Sequence, residues 1–377
     1  MNIKDFAVEQ WMNEWETKCT YNVAETCTYS LTLDQLFEVC GGDRAQFMND
    51  FAQRRLTYGD IEGNPAFLEG VCNLYETVEP GHIIPTHGAA GANYLVLSTL
   101  CGPGDHVVSI MPTYQQLYSI PEMCGATVDI LHLEKDAHYH VDAEKLAALV
   151  TDDTKVICIN NPDNPTGALL SREEIETIVD IARAHGSWLM CDEVYRLLTQ
   201  DNDGYTTSPI DLYDKAVVTS SMSKVWSLAG IRLGWAITKS PELRHDLLSH
   251  RDYDLISCGM FDEAVGAYAL AHADKILARS RRIVRQNLAA LEAWVDSEAH
   301  LSFVKPEAGT TALVYYDYDL DSYEFCTRMI ETTGALVTPG DAFEEPKSMR
   351  IGYAYSDNVD DLKKGLAAIS AFLRTLE

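Results

Sequence analysis

Short apolar runs alternate with stretches of helical periodicity between about residues 80 and 225. The strand-like runs are HIIPT, DHVVSIMP, ATVDILHL, KVICIN, WLMCDE and AVVTSS, and the helix-like stretches between them cover 88–101, 114–124, 142–150 and 171–186. The last helix is the best marked, because Ser171 and Glu174 form a capping box and Gly186 follows its end. This alternation predicts an α/β fold in which helices cover both faces of a mostly parallel sheet.

The pattern changes beyond the sheet region. Residues 262–298 contain few helix breakers and predict one or two long helices, and the later runs TALVYYDYD, ALVTPG and MRIGYAY are typical of a smaller α+β unit. No internal repeat or flexible linker separates these parts. We therefore predict a large domain over 42–275 and a small domain built from both chain ends, 1–41 and 276–377.

Composition excludes several classes of function. The 377 residues carry a formal net charge of −28, whereas nucleic-acid-binding proteins present basic stripes. The first twenty residues are too polar for a signal peptide, and no apolar run is long enough to span a membrane. The ten cysteines are scattered without the spacing of a zinc site. We expect a cytoplasmic protein without a metal site and with neither nucleic acid nor membrane as a partner.

Unusual residues follow the predicted strands, at the edge where open α/β sheets bind ligands. After IIPT, the small residues His87 to Gly91 lead into a helix whose free amides could hold a phosphate. Tyr114 follows the next strand and could stack on a flat ring. The prolines of NPDNPTG fix a loop that presents Asn164. Each feature alone is also compatible with an ordinary turn.

Two further strand ends carry charge. Asp192 ends the apolar run WLMCD, where a carboxylate needs a cationic partner or strong donors, and Tyr195 follows three residues later. Lys224 follows VVTSSMS, where an amine is costly to desolvate unless something holds it or reacts with it. Several such strand ends in succession indicate one ligand site.

Together, NNPDNPTG, CDEVY and SSMSKVWSLAGIRLGW resemble the pyridoxal-phosphate enzymes of fold type I, in particular the class I/II aminotransferases. The resemblance runs from about residue 58 to residue 350. It implies pyridoxal 5′-phosphate as the cofactor and a seven-stranded, mostly parallel sheet in the large domain.

The resemblance also implies the residues that act on the cofactor ring. Lys224 is similar to the lysine that forms a Schiff base with the cofactor and moves a proton between Cα and C4′. Asp192 is similar to the carboxylate that keeps the pyridine nitrogen protonated. Tyr195 and Asn164 match the pair that hydrogen-bonds O3′, and Tyr114 matches the stacking aromatic residue. The catalytic residues implied are therefore Lys224, Asp192 and Tyr195.

Phosphate contacts are implied for the amides of Ala89 and Ala90 and for Ser221 and Arg232, with Arg232 expected to dominate as a charge-assisted donor. Tyr58 is similar to a tyrosine that reaches the phosphate of the neighbouring subunit. This match implies a homodimer with shared active sites.

Substrate contacts are implied for Arg350, which aligns with the arginine that binds the α-carboxylate through a bidentate fork, and for Asn164. Glu25 and Thr26 stand where the family often has a glycine near the substrate, so they leave the substrate class open.

The leading hypothesis is an aminotransferase that moves an amino group between an L-amino acid and a 2-oxo acid. A β-lyase or a cyclase would use the same lysine and cofactor and stays open as an alternative. A non-enzymatic ligand-sensing module is a third hypothesis. It is disfavoured because only some 40 residues precede the family-like region, and this stretch is acidic overall and shows no helix-turn-helix pattern.

Overall fold

The computed structural model describes residues 3–201 and 206–376. The α-helices are α1 Ala7–Trp15, α2 Leu33–Cys40, α3 Arg44–Ala52, α4 Pro65–Cys72, α5 Gly88–Leu100, α6 Gln116–Cys124, α7 Ala143–Leu149, α8 Arg172–His185, α9 Pro241–Arg251, α10 Met260–Leu270, α11 Ala273–Ser297, α12 Ser322–Thr333 and α13 Val359–Leu373. The β-strands are β1 Tyr21–Asn22, β2 Ile83–Thr86, β3 His106–Met111, β4 Thr127–His132, β5 Thr154–Asn160, β6 Trp188–Asp192, β7 Ala216–Ser221, β8 Gly234–Thr238, β9 Leu301–Phe303, β10 Thr311–Tyr316, β11 Ala335–Leu336, β12 Thr338–Pro339 and β13 Ser348–Gly352.

The main sheet has seven strands in the order β2-β8-β7-β6-β5-β3-β4. Every neighbouring pair from β7 to β4 is parallel, whereas β8 is antiparallel to both β2 and β7. The predicted α/β fold with a mostly parallel, seven-stranded sheet is therefore confirmed. The sequence pattern does not predict β8, which begins at a glycine. A side chain at Gly234 would lie 2.5 Å from the backbone of Gly88, so the close approach of β8 to α5 requires that glycine.

Successive residues of the central strands are buried on opposite faces. Ile84, Val107 and Val217 pack with apolar residues of α5, α6 and α9, whereas Val108 and Val218 pack with those of α4, α8 and α10. A strand that is buried on both faces contains a continuous apolar run rather than an alternating one. This explains why the strands are easy to recognise and why their polar ends are conspicuous.

A second, four-stranded sheet has the order β12-β13-β10-β9 and is antiparallel. Near it, β1 from the start of the chain pairs in parallel with β11. The predicted helical stretch 262–298 forms two helices, α10 and α11. The division into domains 42–275 and 1–41 with 276–377 stays a prediction, and its residues 1, 2, 202–205 and 377 lie outside the described part of the chain.

The strand directions bring the functional chain segments to one edge. Because β8 is antiparallel to both of its neighbours, β2 runs in the same direction as β5, β6 and β7. The carboxyl ends of all four strands therefore point to the same side of the sheet. None of the helices in the described residues combines the length and apolar character needed to cross a membrane.

Candidate active site

A cavity of about 480 Å³ lies at the carboxyl edge of the main sheet. It brings together every site residue predicted from the sequence except Tyr58. These residues are Glu25, Thr26, Ala89, Ala90, Tyr114, Asn164, Asp192, Tyr195, Ser221, Lys224, Arg232 and Arg350. The exception, Tyr58, lies between α3 and α4 with 65% of its surface exposed. Its proposed contact with a second subunit stays a prediction.

Lys224 follows β7 and points into the cavity. Its Nζ donates a hydrogen bond of 2.6 Å to Thr26 Oγ1 and lies 3.6 Å from Cys27 Sγ. Burial alone would lower the pKa of Lys224, but the negative potential of Cys27, Tyr195 and other neighbours raises it well above its ordinary value. The segment that precedes α2 thus holds the amine in place through the hydroxyl of Thr26.

Asp192 ends β6 with only 3% of its surface exposed. Its Oδ2 accepts a hydrogen bond of 2.7 Å from Asn93 Nδ2, and its Oδ1 accepts one of 3.0 Å from the Val194 amide. Burial raises the pKa of Asp192, although the two donors and the charge of Lys224 oppose this rise. Asp192 forms no ion pair with a described residue, so the site has room for a cation at this carboxylate.

Asn93 is the main residue that the sequence interpretation missed. It lies on α5, is buried, and accepts a hydrogen bond of 2.6 Å from Thr219 Oγ1 while it donates to Asp192. A signal was available, because Asn93 is an amide in an apolar helix and lies four residues after Ala89, on the same helical face. Thr219 and Asn93 thus form a chain of donors that ends at the buried carboxylate.

Asn164 and Tyr195 face the cavity from neighbouring loops. The Asn164 backbone amide donates a hydrogen bond of 2.8 Å to Asn160 Oδ1, and Asn160 Nδ2 donates one of 2.8 Å to the Asp192 carbonyl. These two bonds connect the ends of β5 and β6. The Tyr195 hydroxyl is buried and has no hydrogen-bond partner among the described residues. A buried hydroxyl without a partner indicates a place for a ligand atom.

The start of α5 forms an anion cradle with Arg232. Ala89 and Ala90 belong to the first helical turn, whose amides have no partner within the helix. Gly88 has φ +70°, and a side chain there would lie 2.7 Å from an Arg232 guanidinium nitrogen. The absence of a side chain at Gly88 keeps the guanidinium next to these amides, and Ser221 lines the same part of the cavity.

Arg350 reaches the cavity from β13 and is 3% exposed. It donates hydrogen bonds of 3.2 Å to Asn164 Oδ1 and 3.0 Å to Thr338 Oγ1, while its Nε has no hydrogen-bond partner among the described residues. Burial lowers the pKa of Arg350, and the negative potential of Tyr195 and other neighbours opposes this effect. A buried guanidinium with an unused N–H indicates binding of an anion.

Helix α1 forms a wall of the cavity that the sequence interpretation also missed. Glu9 Oε1 accepts a hydrogen bond of 2.9 Å from the Tyr114 hydroxyl, and the Phe6 ring packs on the Tyr114 ring at 4.8 Å. Burial and the adjacent Glu9 raise the pKa of Tyr114, which stays neutral. The apolar spacing of Val8 and Trp11 is visible in the sequence, but it does not indicate where the helix docks.

The residues of the cavity fit pyridoxal 5′-phosphate. Within residues 3–201 and 206–376, Asp192 has no ion-pair partner and the Tyr195 hydroxyl has no hydrogen-bond partner, and the amides of Ala89 and Ala90 with Arg232 suit a phosphate. Together with the seven-stranded sheet, this arrangement is that of a fold type I pyridoxal-phosphate enzyme.

Comparison with known proteins agrees with this class. The family model described as aminotransferase class I and II matches residues 44–369. A solved PLP-dependent aminotransferase from Streptococcus suis 89-1591 is 40% identical, with a TM-score of 0.95 and coverage of 100% of this chain and 99% of that chain. The chain belongs to the class I and II aminotransferase family, and the predicted family, cofactor and enzyme class are confirmed.

Two other relatives have different names. Capreomycidine synthase from Streptomyces vinaceus is 30% identical over 298 residues, which cover 78% of this chain and 76% of that protein. A solved PLP-dependent cyclase, OrfR, is 25% identical with a TM-score of 0.89, and the match covers 100% of this chain and 98% of that chain. This chain is therefore also similar to proteins that are named for reactions other than transamination.

Proposed function

We propose that the protein transfers the α-amino group of an L-amino acid to a 2-oxo acid. The observation that carries this proposal is the position of Lys224, whose amine faces the cavity together with Asp192 and Arg350. In the described part of the chain, the Asp192 carboxylate has no ion-pair partner and Arg350 Nε has no hydrogen-bond partner. These three groups match what the reaction requires: an amine, a partner for the cofactor nitrogen and a site for the substrate carboxylate.

Each residue has a separate task in this proposal. When bound, pyridoxal phosphate withdraws electrons from the substrate Cα. Lys224 Nζ removes the Cα proton and returns it during the exchange, and Thr26 Oγ1 holds that amine while it is free. Asp192 supplies the negative charge that keeps the pyridine nitrogen protonated. Tyr195 and Asn164 orient the ring through its O3′ oxygen, while Tyr114 stacks on it.

Anion binding is divided between two arginines. Arg232, Ser221 and the amides of Ala89 and Ala90 bind the phosphate at the first turn of α5. Arg350 binds the substrate α-carboxylate, for which the planar fork of a guanidinium is better suited than a lysine.

The protein would act as a cytoplasmic homodimer in which Tyr58 of each subunit completes the site of the other. The exposure of Tyr58, 65%, leaves its hydroxyl available for a second subunit. Within each chain, 42–275 would form the cofactor-binding domain, and 1–41 with 276–377 would form a smaller domain that carries Arg350. Analytical ultracentrifugation tests the dimer.

Product analysis tests transamination. Purified holoenzyme is incubated with an amino-acid donor and a 2-oxo acid, and both the new 2-oxo acid and the new amino acid are quantified. Equal amounts of the two products are expected, and Lys224→Ala should form neither. Release of ammonia, or a product that keeps the donor nitrogen, would contradict transamination.

Cyclisation is a second candidate, favoured by the relative that is named a cyclase. The same amine of Lys224 would remove the Cα proton, but the donor nitrogen would stay in the product. Mass spectrometry of a reaction with an amino donor labelled with ¹⁵N at the α-position separates the two reactions, because only transamination moves the label to the acceptor.

A further inference from the structure

The proposed function gives a role to every positive side chain of the cavity lining but not to every carboxylate. Among the described residues, the positive side chains of the lining are Lys224, Arg232 and Arg350, and each already has a task. Asp192 has the cofactor nitrogen as its partner. The carboxylates of Glu9, Glu16 and Glu25 also line the cavity, and the reaction gives them no task.

Glu25 lies on the substrate side of the cavity, half-buried. Its Oε1 accepts a hydrogen bond of 2.7 Å from the Cys27 amide. Burial alone would raise the pKa of Glu25, but the positive charge of Lys224 and the donors of Cys27 lower it below its ordinary value. Glu25 is therefore ionised at neutral pH.

Glu9 is held in place by the docking of α1. The Ala7 amide donates a hydrogen bond of 2.8 Å to Gln115 Oε1, and Gln115 Nε2 donates one of 2.9 Å to the Asp5 carbonyl. Trp11 Nε1 donates a third hydrogen bond, of 2.8 Å, to the Val337 carbonyl. These contacts join α1 to the residues around both sheets. The docked helix therefore holds the carboxylate of Glu9, an exposed side chain, beside the Tyr114 hydroxyl.

The buried guanidinium of Arg350 is a separate observation that indicates ligand binding in this cavity. Its Nε is buried without a hydrogen-bond partner among the described residues, and both Glu9 and Glu25 are close enough to interact electrostatically with the guanidinium. A ligand anchored at Arg350 through its α-carboxylate thus extends into the part of the cavity that the carboxylates of Glu9 and Glu25 line. A second carboxylate at the far end of the ligand would be repelled there, whereas a cation would be attracted.

We propose that the amino donor ends in a guanidinium or an ammonium group, and that Glu9 and Glu25 bind this group while Arg350 binds the α-carboxylate. This inference rests on the proposed function, since it takes the substrate to be an α-amino acid. It identifies the substrate class as amino acids with a cationic side chain.

Matched pairs of donors test the inference. Arginine is compared with citrulline, which has nearly the same shape without the charge, and glutamate represents a distal carboxylate. A charge-assisted contact predicts that kcat/KM for arginine exceeds that for citrulline by about 10- to 100-fold. Equal values for arginine and citrulline, or a preference for glutamate, would overturn the inference.

Binding is measured separately from turnover. The probes are α-methylornithine and α-methylnorvaline, which lack the Cα proton and so cannot be transaminated. Calorimetry on the holoenzyme should give a dissociation constant about 10- to 100-fold lower for α-methylornithine. If that preference is found but arginine yields no 2-oxo acid, the proposed function fails and this inference stands. If arginine and citrulline yield 2-oxo acids equally well, transamination stands and this inference fails.

Variants identify the residues responsible. Glu9→Gln and Glu25→Gln keep an acceptor for Tyr114 and for the Cys27 amide but remove the charge, and each should lower the arginine-to-citrulline ratio by about tenfold. Glu14→Gln is the matched control, because Glu14 lies on the same helix outside the cavity lining. An unchanged ratio in the double variant, or an equal loss in Glu14→Gln, would refute the assignment.

Discussion

Asn93→Ala is the change that tests the buried donor chain beneath the cofactor site. The substitution removes the 2.7 Å hydrogen bond that Asn93 Nδ2 donates to Asp192 Oδ2. Asp192 then keeps the Val194 amide as a donor at 3.0 Å. Because the Asn93 contact opposes the effect of burial, its loss raises the pKa of Asp192 further and favours the neutral acid.

A neutral Asp192 cannot keep the pyridine nitrogen protonated, so the loss should appear in kcat. A hydrogen bond to a charged group contributes about 1.5–3 kcal/mol. If all of that contribution is used in the rate-limiting step, kcat falls by about 10- to 150-fold. The KM for the donor should change little, since the hydrogen bond that is lost is to Asp192, whereas Arg350 is held by Asn164 and Thr338.

Thr219→Val is the graded control. It removes the 2.6 Å hydrogen bond from Thr219 to Asn93 but leaves the one to Asp192. A neutral hydrogen bond contributes about 0.5–1.5 kcal/mol, so kcat should fall by roughly tenfold or less. Steady-state kinetics at saturating cofactor, with thermal melting of each variant, separates lost rate from lost folding. A normal kcat in Asn93→Ala, or a larger loss in Thr219→Val, would show that this donor chain does not control the charge of Asp192.

Three further predictions concern other residues. Arg350→Lys should lower kcat/KM by about 10- to 100-fold for every donor without changing cofactor affinity, because a lysine cannot form the bidentate contact; equilibrium dialysis with the cofactor and steady-state kinetics check it. Tyr58→Phe should weaken cofactor binding by about tenfold or less and leave the donor KM unchanged, which dialysis and kinetics measure together. Burial raises the pKa of Glu193 to about 7 despite the nearby Arg196. The free energy of unfolding should therefore fall by up to roughly 3 kcal/mol as pH rises from 4.5 through 7. In denaturant unfolding experiments, the Glu193→Gln variant should lack this part of the pH dependence.

The sign of the pH effect follows from linkage. A carboxyl group whose pKa is higher in the folded state binds more protons when folded, so its contribution is fully present below pH 4.5 and is lost as pH rises past about 7. A stability that rises with pH more steeply in the wild type than in Glu193→Gln would contradict the assignment.

The residues that the apolar pattern itself singles out, such as Asp192 and Lys224, lie at or just after strand ends, and there is a physical reason for this. A strand buried on both faces has no place for Asp192 or Lys224 in its interior, so such residues stand out where the apolar run ends. Asn93 is different, because a helical amide is compatible with a surface position until its buried partner is known. The docking of α1 depends on contacts such as that of Trp11 with the Val337 carbonyl, 326 residues later in the chain, which no local pattern specifies.

Two groups of chain segments build the site, and we expect them to differ in how well they tolerate amino-acid substitutions. The cofactor contacts come from loops at the edge of the main sheet, where Asp192 and Ser221 are fixed by strand pairing. The segment that carries Glu25 and Thr26 is instead fixed by its own backbone. The Thr28 amide donates a hydrogen bond of 3.1 Å to the Lys224 carbonyl, and the Gly352 amide donates one of 2.8 Å to the Val23 carbonyl.

These backbone bonds hold the segment 23–28 between the loop of Lys224 and β13, which carries Arg350. A side chain at Gly352 would lie 2.0 Å from the Glu25 carbonyl oxygen, so this close approach depends on glycine. Because these backbone bonds fix the path of the segment, we expect the side chain of Glu25 to be replaceable without loss of the cofactor contacts at the sheet edge. Relatives with different reaction names can therefore share the sheet-edge residues, and we expect their substrates to differ through the segment 23–28 and α1.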